Sequence, residues 1–326
     1  MKYLLPSLTA LLAMSPAFAA VAVHNDFDGD GRSDLLWHNI DTGANVIWRN
    51  GVATNPVRLS SMPDRDWQIA GTSHFHGPQL AELLWRNRAT GAMELWSADW
   101  FMYSGPLTMH WRPVIDWSDV DGDPAQWEIS AIGDDRFTGI FLRNRVTGGN
   151  GIAAFDIYDF SPADMDVYRT NPVTNLAWKV AGIGDFDGDG ISDILWRNAT
   201  SGRNAIWRSA SYATQLGIAR VADLDWRVAT VGDFNGDQRA DILWRNARSG
   251  ANVIWKSGSA LTPQAVTAVT NLAWNVVATA DFDADGKWDL VWRNSSTGAN
   301  VIWLSANAAT PLRLTAVTNQ AWKIVP

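Results

Sequence analysis

Asp26, Asp28, Asp30 and Asp34 set carboxylates at positions 1, 3, 5 and 9 of a short loop, and the pattern returns three more times. The second copy is Asp185, Asp187, Asp189 and Asp193. The third is Asp233, Asn235, Asp237 and Asp241, and the fourth is Asp281, Asp283, Asp285 and Asp289. A hard cation with six to eight oxygen ligands requires side-chain oxygens at alternating positions and a later acid to close the shell. A loop carbonyl at position 7 completes it. Carboxylates this close repel one another unless a positive charge neutralises them. The pattern therefore predicts four cation loops rather than four solvated acidic turns.

Other chemistry is thinly represented. The chain has no cysteine nucleophile, no Gly-x-Ser-x-Gly elbow and no His-Glu-x-x-His zinc helix. Its five histidines, His24, His38, His74, His76 and His110, stand in no triad context. Paired carboxylates would suit a glycosidase, but most acids already belong to the loops. The expectation is a protein that is not an enzyme. The alternatives are a secreted hydrolase or lyase, or a periplasmic assembly component.

The elements that must hold these loops recur with a period near 48 residues, as from Trp196 to Trp244 to Trp292. Each repeat has a strand-like run ending in Trp-Arg-Asn or a variant of it, at Trp37, Trp85, Leu142, Trp196, Trp244 and Trp292. A second tryptophan follows 11 residues later at Trp48, Trp96, Trp207, Trp255 and Trp303, and a third precedes the loop region at Trp67, Trp127, Trp178, Trp226, Trp274 and Trp322. Between the markers lie short apolar runs broken by Gly, Asn and Ser, with no sustained helical period. Four short strands in about 45 residues, repeated, predict an all-β fold: a β-propeller of six four-stranded blades, or seven if an insertion near residues 97–126 hides a degenerate unit. The segment Ala321–Val325 repeats the start of an inner strand and then stops short of a loop. The N-terminal segment supplies the loop, so the two ends are expected to close the ring.

Composition narrows the class. Residues 1–19 read as a signal peptide, with Lys2, a short apolar stretch and Ala17-Phe18-Ala19 as the cleavage site. Residues 20–326 are read as one propeller domain, secreted or periplasmic, with no transmembrane segment. The formal charge is −8, and the four loops hold fifteen of the 34 acidic residues. The acidity is thus explained by cation loops. No basic stripe points to nucleic acid. With no cysteine, stability must come from the core and from metal rather than from disulfides.

The string Asp-Phe-Asp-Gly-Asp-Gly-x-x-Asp, followed by Ile-Leu-Trp-Arg-Asn and Thr-Gly-x-Asn-x-Ile-Trp, resembles the FG-GAP or VCBS-type repeats of bacterial secreted proteins, which are related to the integrin α-subunit propeller. The resemblance spans nearly all of residues 21–326. It implies calcium, about four ions, in the loop between the first and second strands of a blade. The sixteen side chains named above would be the ligands, and the carbonyls of Arg32, Ile191, Arg239 and Lys287 would take position 7. The resemblance further implies adhesion, or carbohydrate or protein binding, rather than one fixed activity.

Two repeats depart from the pattern. In the second, His74, His76 and Glu82 stand at positions 1, 3 and 9 with Pro78 at position 5. Calcium is doubtful there, and the histidines raise zinc or copper as the other reading. In the third the loop shrinks to Asp134-Asp135-Arg136-Phe137, preceded by Asp119, Asp121 and Asp123 with Trp127 at position 9. Sixteen of the 20 tryptophans occupy the three repeat positions. They are read as inter-blade packing, with sugar-stacking pockets as the alternative. Trp100, Tyr103, Trp111 and Trp117 lie in the irregular stretch 99–117, where the repeat is about 12 residues longer than usual, and are the candidate ligand-binding surface.

Overall fold

The computed structural model describes residues 23–75, 80–97, 109–111, 114–115, 123–133, 139–155 and 164–326. Of the expectations above, the signal peptide, His76, Pro78, Trp100, Tyr103, Trp117, Asp119, Asp121, Asp134 and Asp135 lie outside these residues.

The regular repeat shows how the sequence makes a blade. β13 (Trp178–Gly184), β14 (Asp193–Asn198), β15 (Asn204–Trp207) and β16 (Gln215–Ile218) form one antiparallel sheet in chain order. The turn from β14 to β15 is fixed by its own side chains. Asn198 Oδ1 accepts the amides of Thr200 and Ser201 at 3.2 and 2.9 Å. Gly202 has φ +69°, and a Cβ there would sit 2.0 Å from the Val221 carbonyl oxygen, so only glycine fits. Asn204 then ties the sheet to the next connection, donating to the Ala219 carbonyl at 2.8 Å. The Ser-Gly-x-Asn of this blade, Thr-Gly-x-Asn in others, is thus a hairpin clamp.

Six such sheets are present. Blade 5 is β17 (Trp226–Gly232), β18 (Asp241–Asn246), β19 (Asn252–Trp255) and β20 (Pro263–Val266). Blade 6 is β21 (Trp274–Ala280), β22 (Asp289–Asn294), β23 (Asn300–Trp303) and β24 (Pro311–Leu314). Blade 2 is β4 (Trp67–Ser73), β5 (Glu82–Asn87), β6 (Met93–Ser97) and β7 (Met109–Trp111), which contains Trp111. Blade 3 is β9 (Trp127–Ile132), β10 (Ile140–Asn144), β11 (Asn150–Phe155) and β12 (Asp164–Thr170). It gains a fifth strand, β8 (Val114–Ile115), which runs parallel to the outer edge of β12. The insertion after β7 therefore crosses from the rim of blade 2 to the rim of blade 3, and no seventh blade forms among the described residues.

Blade 1 closes the ring. β1 (Leu35–Asn39), β2 (Asn45–Trp48) and β3 (Val57–Leu59) receive β25 (Trp322–Ile324) as their inner strand, with Trp37 opposite Ile324 and Asn39 opposite Trp322. The Val325 amide donates to the Leu36 carbonyl at 2.9 Å.

Blades adhere through apolar clusters that each draw on two neighbours. One joins Phe186, Leu195 and Ile206 of blade 4 to Val231, Ile242 and Trp244 of blade 5. Trp37, Trp85, Trp196, Trp244 and Trp292 are buried, so these indoles pack between blades and cannot stack on a sugar. A polar latch accompanies them. The Arg197 guanidinium lies 4.9 Å over the Trp244 ring and donates to the Trp226 carbonyl at 2.9 Å. Arg143, Arg245 and Arg293 lie over Trp196, Trp292 and Trp37 in the same way.

Blade 1 carries His38 instead of arginine. Its Nδ1 meets Asn45 Oδ1 at 2.8 Å, and its ring stands edge-on to Trp85 at 5.3 Å. Burial pushes its pKa below the usual histidine value, so it is neutral at pH 7. His38→Arg should restore a cation–π contact of about 1 kcal/mol and raise Tm by roughly 2 °C in a chain this large. An unchanged or lower Tm in a thermal melt would show that this seam does not accept the latch.

Candidate cation-binding loops

Three of the acidic loops join the first and second strands of their blades, and the Asp26–Asp34 loop leads into β1 at the corresponding end, where the third strand turns out to the fourth. Each loop is pinned at both ends. Phe27, Phe186, Phe234 and Phe282, at position 2, are buried in the core. The position-9 carboxylates Asp34, Asp193, Asp241 and Asp289 are also buried, and each takes two backbone amides. Asp34 Oδ2 accepts from Phe27 at 3.1 Å and its Oδ1 accepts from Asn50 at 2.8 Å. Asp193 does the same with Phe186 and Ser209, Asp241 with Phe234 and Ser257, and Asp289 with Phe282 and Ser305.

Between the pins the backbone wraps around position 1. Asp26 Oδ1 accepts the Gly29 amide at 2.7 Å and Oδ2 accepts the Gly31 amide at 2.9 Å. Asp185 repeats this with Gly188 and Gly190. In each loop the position-7 amide, of Arg32, Ile191, Arg239 or Lys287, donates to the position-5 carboxylate. Positions 4 and 6 need positive φ. Gly29 and Gly31 take it freely, whereas Ala284 and Gln238 adopt it at +61° and +63°.

Three carboxylates converge in three of the loops, each offering an oxygen within 4.8 Å of the others: Asp26 with Asp28 and Asp34; Asp185 with Asp187 and Asp193; Asp281 with Asp283 and Asp285. Asp30, Asp189 and Asp289 stand in the same loops but outside these triads. The loop of Asp233, Asp237 and Asp241 yields no such triad among the described residues. There Asn235 turns its Nδ2 toward Asp241 Oδ2 at 3.4 Å while its Oδ1 accepts the Asp237 amide. At the other candidates, Glu82 is buried at the start of β5 and His74 is half-buried, while Asp123 caps the Ala125 amide.

The electrostatics favour a positive guest. Burial pushes the pKa values of Asp34, Asp193 and Asp289 up to about 7, and that of Asp241 up to about 6, against the opposing pull of the two amides each accepts. Asp28 and Asp283 are also raised, by burial first and then by the charges of Asp30 and Asp285. Asp187 Oδ1 is buried without a hydrogen-bond partner. A cation bound among Asp185, Asp187 and Asp193 would satisfy that oxygen, and an all-oxygen donor set suits calcium.

Sequence reasoning did not single out the residues that brace these loops. Arg49 Nε meets Asp28 Oδ2 at 3.0 Å, and Arg208 Nε meets Asp187 Oδ2 at 3.3 Å, each holding a position-3 carboxylate. The amides that pin position 9 come from Asn50, Ser209, Ser257 and Ser305, all at positive φ. Each follows its aspartate by 16 residues, and that fixed spacing was the available signal.

The comparisons with known proteins agree with this architecture. Residues 185–244 and 233–292 each match the FG-GAP-like repeat. The fold is similar to that of virginiamycin B lyase from Staphylococcus aureus, at a TM-score of 0.51 and 9% identity over 91% of this chain and 89% of that one. A chain of the nidogen/laminin complex aligns at a TM-score of 0.49 and 9% identity, over 90% and 96% of the two chains. At these identities the likeness concerns the fold alone. No curated protein matches the sequence. No helix among the described residues is long and apolar enough to cross a membrane.

Proposed function

We propose, from the premise that this chain is a six-bladed β-propeller carrying FG-GAP-like repeats, that it is an exported, calcium-stabilised, non-enzymatic module that binds carbohydrate or protein ligands. The observation that carries the calcium reading is the convergence of loop carboxylates around a buried, unpartnered Asp187 oxygen. The N-terminal signal-like pattern supports export. An insertion that breaks the repeat of a propeller supports a binding role, because loops set on such scaffolds are free to carry recognition. The insertion bearing Trp100, Tyr103, Trp111 and Trp117 is the proposed ligand surface, whose aromatic side chains suit sugar rings or peptide. A glycan array probed with the calcium-loaded protein, alongside Trp100→Ala and Trp111→Ala, tests that surface.

Elemental analysis of the protein dialysed to equilibrium against ~1 mM calcium, with the dialysate subtracted, tests the metal reading. About four calcium ions per chain are expected, and Asp187→Ala, which removes the position-3 oxygen altogether, should lose about one. Calcium at background level in the parent, with melting indifferent to added calcium, would refute the reading.

A further inference from the structure

The four loops are linked to one another. The position-8 amide of one loop donates to the position-1 carbonyl of the loop on the preceding blade: Ala240 to Asp185 at 2.6 Å, Trp288 to Asp233 at 2.7 Å and Ser33 to Asp281 at 2.8 Å. The last of these crosses the seam where the ring closes. Ala81 of blade 2 continues the belt to Asp26 at 2.7 Å.

The position-7 side chains follow the same path. Arg239 lies across Gly188, between Asp187 and Asp189 of the preceding loop; a Cβ on Gly188 would sit 3.1 Å from its Nε and 3.6 Å from its Cζ. The stem of Lys287 lies across Gly236 of the loop before it, with its Cγ 3.2 Å from where a Cβ would be, while its Nζ turns back to Asp285 of its own loop at 3.8 Å. Arg32 holds the same position 7 in the loop that follows Asp281–Asp289 around the ring. The fourth position-7 residue is Ile191, and it follows blade 3, whose loop lacks the alternating oxygens. A basic side chain therefore stands at position 7 in the three loops that follow another four-ligand loop, and an apolar one stands where there is none to cover.

We propose that Arg239 is an affinity-setting residue for the cation site of the preceding blade. It is a resident counter-charge that steadies its neighbour's carboxylates when calcium is scarce and competes with the ion when it is plentiful. The inference rests on the calcium reading above. It adds that the site of Asp185–Asp193 is tuned by a residue on the next blade.

Arg239→Ile is the informative variant, because isoleucine already occupies position 7 in the loop of Asp185–Asp193 and is compatible with the fold. Calcium affinity is measured by competition with a chromophoric chelator, and melting is followed in chelator and in millimolar calcium. Removing a unit charge beside a divalent ion should tighten one site roughly three- to tenfold. Tm in chelator should fall by several degrees, and the calcium-loaded Tm should equal or exceed the parent's. Arg239→Gln should behave likewise if charge, and not bulk, is responsible. A parent that binds calcium while both variants keep its affinities and its chelator Tm would overturn this inference alone. A parent that takes up no calcium would overturn the metal reading and the inference with it.

Discussion

Moving the protein from millimolar calcium into excess chelator should lower its melting temperature by many degrees. At ~1 mM calcium, a site with a dissociation constant near ~10⁻⁴ M contributes roughly 1.4 kcal/mol to stability through linkage. Four such sites contribute roughly 5–6 kcal/mol, as much as the whole net stability of an ordinary domain. The pH dependence should change with the metal. Without calcium, the buried Asp34, Asp193 and Asp289 carry pKa values near 7, and Asp241 near 6, against 3.8 for an ordinary aspartate. The folded state then holds more protons than the unfolded chain between about pH 4 and pH 7, so these groups make stability fall as pH rises through that window. Calcium requires the carboxylates ionised, and its stabilisation grows as pH rises. Melts in chelator should therefore lose Tm from pH 4 to pH 7, and melts in calcium should not. Parallel pH profiles in the two media would contradict the assignment.

Trp244→Ala should be the most damaging single substitution outside the loops, at roughly 3–5 kcal/mol. Trp244 is 2% exposed, lies 5.0 Å from the Trp255 ring and receives the Arg197 guanidinium at 4.9 Å. Truncation opens a cavity between blades 4 and 5 and removes the π-face from the buried Arg197 charge. The denaturant midpoint, measured at fixed calcium, reads the effect, and calcium stoichiometry should stay at the parent value. Trp244→Phe should cost less, because a ring remains under Arg197. A midpoint within error of the parent for the alanine variant would mean that the inter-blade clusters are not where this fold keeps its stability.

Much of this architecture was legible because a repeat writes its contacts several times. The markers Trp-Arg-Asn and Thr-Gly-x-Asn announced strands and a hairpin, and the structure returns them as β14 and β15 with the Asn198 and Gly202 clamp between them. The end segments announced closure, and β25 beside β1 provides it. The partners across blades were not legible. Nothing local to Arg197 says that its guanidinium rests on a tryptophan 47 positions later, and nothing local to Arg239 points to Gly188. Those contacts depend on how two sheets face one another, which leaves no short-range period. The rim crossing by β8 was hidden for a related reason: two residues pair with β12 in a stretch that breaks the repeat. The buried position-9 carboxylates were read as ligands only. Their second task, pinning the loop to the far turn through two amides, emerged only once Asn50 and Ser305 stood beside Asp34 and Asp289.

Closure through β25 also imposes an order in time. Three residues, Trp322–Ile324, supply the inner strand of a sheet whose other three strands come from residues 35–59. Until those residues arrive, the growing molecule is an open arc. Its first and last sheets each show water an apolar face built to meet the other. That stage lasts until β25 docks, however stable the middle blades are. The risk of wrong partners is therefore concentrated before that docking. Any change near β25 would have to leave the strand free to reach back and pair with β1.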